Sequence, residues 1–247
     1  MNFDDFKVKA GQWRKRLTEV KTKNPPDGFT WYGYDILANV DHVDGLLSGD
    51  SRDLLARVAG ERIADIGCAD GDLGLLFADL GHEVDLIDWP STNWNGMRGV
   101  RRLTGLLESP ATVHEVDLDS QFALPSDRYG LVVLLGILYH LKNPYFVLDK
   151  LASHTRYCLL STRIARYTKA PKTDISELPV AYLLTPDECN NDATNFWIFS
   201  AAGLRRIVER CGFRIVAMRQ LGDVKASNPA DAEHDERAFL MLESTRI

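Results

Sequence analysis

The sequence predicts an α/β fold with a seven-stranded, mostly parallel sheet, an antiparallel last strand and helices on both faces. From residue 61 onward, short apolar runs alternate with stretches of helical period, which is typical of βαβ units. A glycine-rich turn follows the first of these runs. The last two runs are separated by a polar stretch without helical period, so we expect the final strand to run antiparallel to its neighbour.

Length and composition indicate one domain with an extension. A chain of 247 residues, 45% of them hydrophobic, is long enough to bury a sizeable core. We predict an N-terminal helical arm at 1–50 and the main domain at 51–247. The formal charge of -6 argues against a basic surface for nucleic acid.

The cysteines and the longest apolar run indicate a cytoplasmic protein without a metal site. The four cysteines form no C-x-x-C pair, so the sequence predicts neither a zinc site nor a disulfide framework. The apolar run at 131–138 is far shorter than the roughly 20 residues of a membrane span. We therefore predict a soluble, cytoplasmic protein with no metal.

The arm begins with a predicted amphipathic helix. Apolar residues recur every three or four positions from Phe3 to Val20, which is the period of one helical face. The segment NPPDG at 24–28 then ends the helix. Its basic excess predicts a solvated polar face, with contact to an anionic partner as the alternative.

The remaining elements follow from the same periodicities. Segment 163–199 has few periodic apolar positions and is predicted to be a lid or insertion. Ser200 is expected to cap a helix that Gly212 stops. Further helices are predicted near 72–80, 94–107 and 144–152. Strands are predicted at 61–66, 83–88, 112–117, 131–136, 156–162, 213–221 and 237–244.

The turn after the first strand is the strongest candidate for a ligand site. Segment 63–71 reads IADIGCADG, a buried strand that breaks into a glycine-rich turn whose backbone amides can approach a polar ligand. A dinucleotide site requires G-x-G-x-x-G, but Ala69 and Asp72 stand at the second and third glycine positions. A nicotinamide-dependent oxidoreductase is therefore the least favoured reading.

The turn resembles the D/E-x-G-x-G-x-G nucleotide loop of class I S-adenosylmethionine-dependent methyltransferases. Asp65, Gly67 and Gly71 match the motif, and Ala69 is the single departure. The resemblance implies a Rossmann-like fold, S-adenosyl-L-methionine as cofactor and contacts to it from this loop, including Cys68. It also implies that Asp65 holds the loop and approaches the methionine amino group.

The same resemblance assigns residues at the ends of the next two strands. Asp88, at the end of the second strand, would accept hydrogen bonds from the ribose hydroxyls. Asp117, at the end of the third, would bind the adenine amino group beside Leu118, with Asp119 as the competitor. Trp89 would lie against the adenine ring, and a packing role is its alternative.

Four further segments resemble the group of class I methyltransferases that includes the tRNA wobble-uridine carboxymethyltransferases. This narrower resemblance implies that Tyr139 lies near the cofactor and that Arg237 faces it. That group has a lysine shortly before the aromatic segment, where this chain has PPDG at 25–28, and the difference weakens the case for a carboxylated cofactor. The matching segments, in chain order, are FTWYG at 29–33, VRRL at 100–103, GILYHLKNP at 136–144 and NFWIFS at 195–200.

Methyl transfer suggests roles for the residues after the fourth strand. The reaction is an in-line displacement that gains most from alignment and from exclusion of water. A hydroxyl acceptor benefits from a general base, and His140 has the side chain best suited to that role near neutral pH. Tyr139 would orient the acceptor. The alternatives are that His140 binds a backbone carbonyl and that Tyr139 only lines the pocket.

Basic and aromatic residues supply candidate acceptor contacts. Arg163 and Arg237 are predicted to bind a phosphate or carboxylate of the acceptor. Trp31 and Tyr32, with Trp94, are predicted to cover an aromatic or sugar ring. The alternatives are a solvated basic surface and an aromatic arm packed over the sheet.

The sequence as a whole predicts an S-adenosylmethionine-dependent methyltransferase acting on a small molecule, at an oxygen of a sugar or secondary metabolite. The first alternative is a tRNA wobble-uridine modifying enzyme. The second is a methyltransferase-like scaffold that binds without turnover, an interpretation that Ala69 makes conceivable and the retained Asp88 opposes.

Overall fold

Residues 1–231 and 233–247 are described by the computed structural model. They form two units, residues 1–133 and 134–247. The boundary falls within a strand, so each unit contains part of the alternating pattern predicted from the sequence. The predicted division at residue 50 lies inside the first unit and stays a prediction.

The first unit contains a parallel sheet in the order β3-β2-β1-β4. All four residues of β1 are buried, and Asp65 in this strand lies opposite Leu86 on β2 and Val133 on β4. The strands are β1 (Ile63–Ile66), β2 (Val84–Asp88), β3 (Thr112–Glu115) and β4 (Tyr129–Leu135), whose last two residues belong to the second unit. The helices are α1 (Phe3–Lys23), α2 (Asn39–Asp44), α3 (Leu54–Arg57), α4 (Asp72–Asp79) and α5 (Arg98–Leu106).

Helix α1 packs against α4, the helix that follows the glycine turn. The side chain of Asn2 caps α1 by accepting a hydrogen bond from the backbone N–H of Asp5. The ring of Phe6 stacks on Phe77 with centroids 5.2 Å apart, and the indole N–H of Trp13 donates to the Asp72 carbonyl. The predicted apolar face is confirmed as the packed face of the arm.

Most basic side chains of α1 are paired with carboxylates of the first unit. Five of the seven basic residues make ion pairs within 4 Å, which agrees with a polar outer face rather than a cationic surface. The pairs are Lys7 with Asp41 and Asp44, Arg14 with Asp35, Arg16 with Asp79, Lys21 with Asp72, and Lys23 with Glu19.

The second unit is organised around β5, which pairs with the last strand. Strand β9 runs antiparallel to both β5 and β8, which confirms the predicted direction of the final strand. The strands are β5 (Thr155–Ile164), β6 (Ala181–Leu183), β7 (Trp197–Phe199), β8 (Phe213–Gly222) and β9 (Glu236–Ser244). The helices are α6 (Pro144–Ala152), the single turn α7 (Glu188–Asn191) and α8 (Ala201–Arg210).

The structure adds two short strands to the seven predicted. The predicted insertion at 163–199 contains β6 and β7, which pair antiparallel, and β7 adds to the end of β5 where Phe199 lies opposite Ile164. Three-residue strands are too short to show a period of two. The helix signals are confirmed: the Ser200 hydroxyl caps α8 through the backbone N–H of Gly203, and Gly212 follows with φ of 93°.

No helix within the described ranges has the length and apolar character needed to cross a bilayer.

Candidate cofactor and acceptor sites

The glycine turn between β1 and α4 takes a left-handed backbone at three positions. The φ angles are 71° at Gly67, 52° at Ala69 and 85° at Gly71. Glycine adopts these angles without penalty, whereas an L-residue such as Ala69 is disfavoured by about 1–2 kcal/mol. A side chain at Gly71 would come within 3.0 Å of Val100. Gly71, the residue directly before α4, therefore lies close against α5.

Asp88, at the carboxyl end of β2, is bonded to this turn. One carboxylate oxygen accepts from the backbone N–H of Ala69 at 2.9 Å and from the side-chain amide of Asn93 at 2.8 Å. The other accepts from the backbone N–H of Trp89 at 2.8 Å. Burial raises the pKa of Asp88. A carboxylate offers about four acceptor positions, so these three donors leave capacity for a ligand hydroxyl.

Asp65 lies beneath the turn and fastens α4 to β1. It is 6% exposed, and its carboxylate accepts from the backbone N–H of Gly74 at 2.9 Å. Burial raises its pKa to about 7. A side chain at Gly74 would come within 2.2 Å of Leu86 and 2.8 Å of the Asp65 carboxylate. These contacts agree with the loop-holding role of Asp65, while its approach to the methionine amino group stays a prediction.

The predicted adenine residues lie on the segment after β3, next to Asp88. The backbone N–H of Val116 donates to the Asp88 carbonyl at 2.9 Å, which brings Asp117 alongside the end of β2. The Asp117 carboxylate accepts from the backbone N–H of Asp119, and Leu118 is buried. The first unit therefore gathers the predicted cofactor residues at one sheet edge. Trp89 is half-buried there, and Cys68 is fully covered.

Sequence reasoning missed a buried polar network beside the turn. Asp70 is only 1% exposed, and its carboxylate accepts from the backbone N–H of Tyr32 at 2.7 Å and from the side-chain amide of Asn95 at 2.8 Å. Asn93 and Asn95 lie in the loop after β2. Two asparagines in a loop after a strand were the available signal, since buried amides need partners.

Trp31 and Tyr32 belong to a segment that we call the aromatic strap, residues 29–34. The ring of Tyr32 lies 5.5 Å from that of Tyr34 and 6.4 Å from that of Trp94. Tyr34 is 74% exposed and Trp94 62% exposed. The indole N–H of Trp31 is buried and has no hydrogen-bond partner among the described residues. The structure therefore places Tyr32 in an aromatic group with exposed members, whereas the ring of Trp31 packs edge-on against Phe29 with centroids 5.2 Å apart.

In the second unit, Tyr139 and His140 lie on a 3-10 turn after β4, with ring centroids 4.2 Å apart. The Nδ1 atom of His140 is 3.1 Å from the carbonyl and 3.0 Å from the hydroxyl of Thr194. That hydroxyl donates to Asp192, so both Thr194 oxygens act as acceptors and we assign the imidazole proton to Nδ1. Burial lowers the pKa of His140. The ring is therefore neutral near pH 7, with Nε2 as its basic atom.

The two predicted arginines lie opposite each other on β5 and β9. Arg163 is 2% exposed, and its guanidinium donates to the Asp231 carbonyl and lies 2.8 Å from the Asp235 carboxylate. These contacts favour a role within the protein, and substrate binding by Arg163 stays a prediction. Arg237 donates to Asp235 at 3.1 Å, and its side chain is 42% exposed. Its guanidinium carbon lies 6.0 Å from the ring centre of Tyr139.

A family model for the methyltransferase domain matches residues 25–218 of the chain, which include the glycine turn, Asp88 and the Tyr139–His140 turn. The chain belongs to this methyltransferase family. No curated protein sequence matches it. The family assignment confirms the broader resemblance drawn from the turn, and the narrower one to the wobble-uridine group stays a prediction.

Solved structures agree with the fold of this methyltransferase. The N-terminal domain of EvdMO1, in a structure with S-adenosylhomocysteine and D-fucose, is 14% identical with a TM-score of 0.61, covering 94% of this chain and 96% of that one. The [4+2]-cyclase SpnF is 13% identical with a TM-score of 0.57, covering 92% and 91%. A Burkholderia thailandensis 1,6-didemethyltoxoflavin-N1-methyltransferase, with 1,6-didemethyltoxoflavin and S-adenosylhomocysteine bound, is 13% identical with a TM-score of 0.51. The match covers 78% of this chain and 75% of that one. At these identities the likeness shows the Rossmann-like fold.

The cofactor of the methyltransferase is S-adenosylmethionine, and the first unit has the groups to hold it. The backbone of the glycine turn can approach the ligand closely because three residues adopt positive φ. Asp88 keeps acceptor capacity for ribose hydroxyls. The predicted contacts of Asp117, Leu118 and Trp89 with the adenine remain predictions that this arrangement allows.

Proposed function

We propose that this methyltransferase transfers the methyl group of S-adenosylmethionine to an oxygen of a small-molecule acceptor that contains an aromatic or sugar ring. The single observation that carries the oxygen assignment is His140, a neutral imidazole with its proton fixed at Nδ1 by Thr194. Its Nε2 atom is then an acceptor that can take the proton of a hydroxyl.

The cofactor, when bound, supplies an electrophilic methyl group on a positively charged sulfur. The acceptor oxygen forms the new bond to carbon as the carbon–sulfur bond breaks. S-adenosylhomocysteine would be the second product. His140 takes the hydroxyl proton on Nε2 and releases it to solvent after the acceptor leaves. Its lowered pKa keeps the ring able to receive that proton at neutral pH.

Tyr139 and Arg237 would orient the acceptor. Burial raises the pKa of Tyr139, so its phenol stays protonated and donates a hydrogen bond at neutral pH. Arg237, partly exposed beside that ring, would bind a carboxylate or phosphate. The ring of Tyr139 packs against the small apolar cluster of Ala165, Leu184, Cys189 and Ile198, which fixes its position.

The aromatic group of the first unit supports a ring-containing acceptor. Tyr34 and Trp94 present exposed faces, and such faces stack on planar rings or on the apolar face of a sugar. Two of the similar solved structures contain ligands of these kinds, D-fucose and 1,6-didemethyltoxoflavin. The ion pairs along α1 leave little unpaired positive charge on the arm, which favours a small molecule over tRNA.

The decisive experiment is a homocysteine-release assay with a panel of sugars, phenols, heterocyclic amines, thiols and unmodified tRNA. We expect turnover with a hydroxyl-bearing ring compound. We also expect His140→Gln to lower kcat by about 10²–10⁴-fold, the usual contribution of a general base. His140→Gln should keep its affinity for S-adenosylhomocysteine, and the exposed His42→Gln variant should keep full activity.

Other outcomes would overturn the proposal in recognisable ways. Turnover only with tRNA would establish the wobble-uridine alternative. Binding of the cofactor without turnover of any acceptor would favour the scaffold alternative. Methylation of nitrogen or sulfur with undiminished rate in His140→Gln would reject the oxygen assignment and the role of His140.

A further inference from the structure

Asp70 joins two segments of the first unit that are distant in sequence. Its two carboxylate oxygens accept from the aromatic strap, through the backbone N–H of Tyr32, and from the loop after β2, through Asn95. The ammonium group of Lys21 on α1 lies 3.7 Å from the same carboxylate. Asp70 itself belongs to the glycine turn. The turn, the strap and the loop are thus held by one side chain.

The hydrogen bonds continue from Asp70 to the predicted ribose ligand. The side-chain amide of Asn95 donates to the Thr30 carbonyl of the strap as well as to Asp70. The backbone N–H of Asn95 donates to the Asn93 side chain at 3.1 Å, and Asn93 donates to Asp88 at 2.8 Å. A continuous chain of contacts therefore runs from Asp88 to the strap.

This network has little room to rearrange. A side chain at Gly99 would come within 1.9 Å of the Asp70 carboxylate and 2.7 Å of the Asn95 amide. The backbone N–H of Gly99 donates to Asn95 at 3.0 Å. Arg98 also ties the strap's entrance by donating to the Gly28 carbonyl at 2.6 Å. Movement of the loop after β2 must therefore change the position of the strap.

We infer that Asp70 is a positioning residue that couples the aromatic strap to the occupied cofactor loop, so that the cofactor binds first and sets the acceptor platform. Ligand contact at the glycine turn and Asp88 restrains both ends of the network, and Asp70 carries that restraint to Tyr32. The acceptor part of this inference rests on the proposed function. The coupling itself depends only on cofactor binding in the first unit.

The coupling should be reciprocal, because linked sites share one coupling free energy. A ligand that orders the strap must bind more tightly to the protein when the strap is already ordered. Breaking the network at Asp70 should therefore make the strap less ordered. It should also lower the affinity for the cofactor by the factor with which the cofactor orders the strap, while the direct contacts of Asp88 remain. A carboxamide at position 70 keeps the size of the side chain but replaces one acceptor oxygen with a donor.

The test is hydrogen–deuterium exchange of the strap with and without S-adenosylhomocysteine, in the wild type and in Asp70→Asn. In the wild type we expect the ligand to slow exchange in residues 29–34 by about five- to tenfold, within the usual range of allosteric coupling. In Asp70→Asn we expect that ligand-dependent slowing to disappear, with a similar loss of affinity in calorimetry. The exposed Asp50→Asn variant is the matched control.

Asn95→Ala is a second variant. It keeps the Asp70 carboxylate and its bond from Tyr32 but removes the amide that joins Asp70 to the loop after β2, so it should lose part of the ligand-dependent slowing. Strap exchange that does not respond to the ligand in the wild type would overturn the coupling, as would a full response in folded Asp70→Asn. Failure of the wild type to bind S-adenosylhomocysteine would instead reject the cofactor site. Binding with coupling but no turnover of any hydroxyl compound would reject only the proposed acceptor.

Discussion

The side-chain carboxylate of Asp88 accepts a hydrogen bond from the backbone N–H of Ala69 at 2.9 Å. Ala69 is the residue at which the nucleotide loop departs from the methyltransferase motif, and its φ is 52°. The Asn93 side chain donates to the Ala69 carbonyl as well, at 3.3 Å. Both backbone polar groups of Ala69 therefore have hydrogen-bond partners, which offsets the disfavoured backbone and lets alanine occupy a glycine position.

Replacing Asp88 tests the ribose assignment. Asp88→Ala removes the acceptor for the ligand hydroxyls and for Ala69, so we expect binding of S-adenosylmethionine to weaken by about 1–3 kcal/mol. Calorimetry on the folded variant measures the change. Asp127→Ala, at an exposed turn, serves as control and should bind as the wild type does. Equal affinity of the two variants for S-adenosylmethionine would show that Asp88 does not bind the ribose.

Restoring glycine at position 69 should relieve backbone strain. Ala69→Gly removes about 1–2 kcal/mol of left-handed penalty and costs about 0.5–1 kcal/mol of chain entropy, so we expect up to about 1.5 kcal/mol of added stability. Denaturant unfolding measures it. The opposite exchange, Gly71→Ala, should destabilise, because its φ is 85° and the new side chain meets Val100 at 3.0 Å. A less stable Ala69→Gly variant would contradict the left-handed assignment.

The burial of Asp65 predicts a pH dependence of stability. Burial raises its pKa from the ordinary value of 3.8 to about 7 in the folded chain, so between these values the folded state holds a proton that the unfolded state lacks. Stability present at low pH is therefore lost as pH rises toward 7, with a slope of up to about 1.4 kcal/mol per pH unit, and is constant above it.

Unfolding measured from pH 5 to 8 in wild type and Asp65→Asn isolates this contribution. The unfolding free energy of the wild type should fall relative to that of Asp65→Asn as pH rises from 5, and the relative value should level off above about pH 7. Asp127→Asn, at an exposed position, provides the control for the change from carboxylate to amide. A constant difference for Asp65→Asn would show that Asp65 is ionised throughout.

Arg163 is expected to stabilise the second unit rather than to bind substrate. Arg163→Met leaves the Asp231 carbonyl without its donor and Asp235 without one of its two cations. We expect a loss of about 2–3 kcal/mol, less than for a fully buried pair because Asp235 is partly exposed. Arg214→Met breaks a surface pair with Glu243 and should cost less than about 1 kcal/mol. Similar losses of unfolding free energy in Arg163→Met and Arg214→Met would contradict this structural role of Arg163.

The elements with strong periodicity were predictable from the sequence. Helix α6 has the bounds predicted from Pro144 and the apolar spacing, and the cap of α8 was predicted from Ser200 alone. These signals are local, so they survive without knowledge of the tertiary structure. Strands β6 and β7 were not predicted because three residues are too few to show an alternation of apolar and polar side chains.

The candidate site was predictable where a motif fixes the backbone and less so where burial decides the role. The positive φ angles of Gly67 and Gly71 follow from the glycine pattern. The burial of Arg163 and the partners of Asp70 depend on residues tens of positions away, including Asp231 and Tyr32. Sequence spacing carries no information about such contacts, so an arginine of the protein interior resembled an arginine of the surface.

The register of β5 and β9 determines how charge is balanced around Arg237. Arg163 and Arg237 lie opposite each other, and the single carboxylate of Asp235 contacts both, one oxygen to each guanidinium. Two positive charges thus share one counter-ion, and the three side chains together carry a charge of +1. Because Arg163 is buried, the excess positive charge is accessible only at Arg237, whose side chain is partly exposed. An acceptor with one negative charge would bring this trio to neutrality.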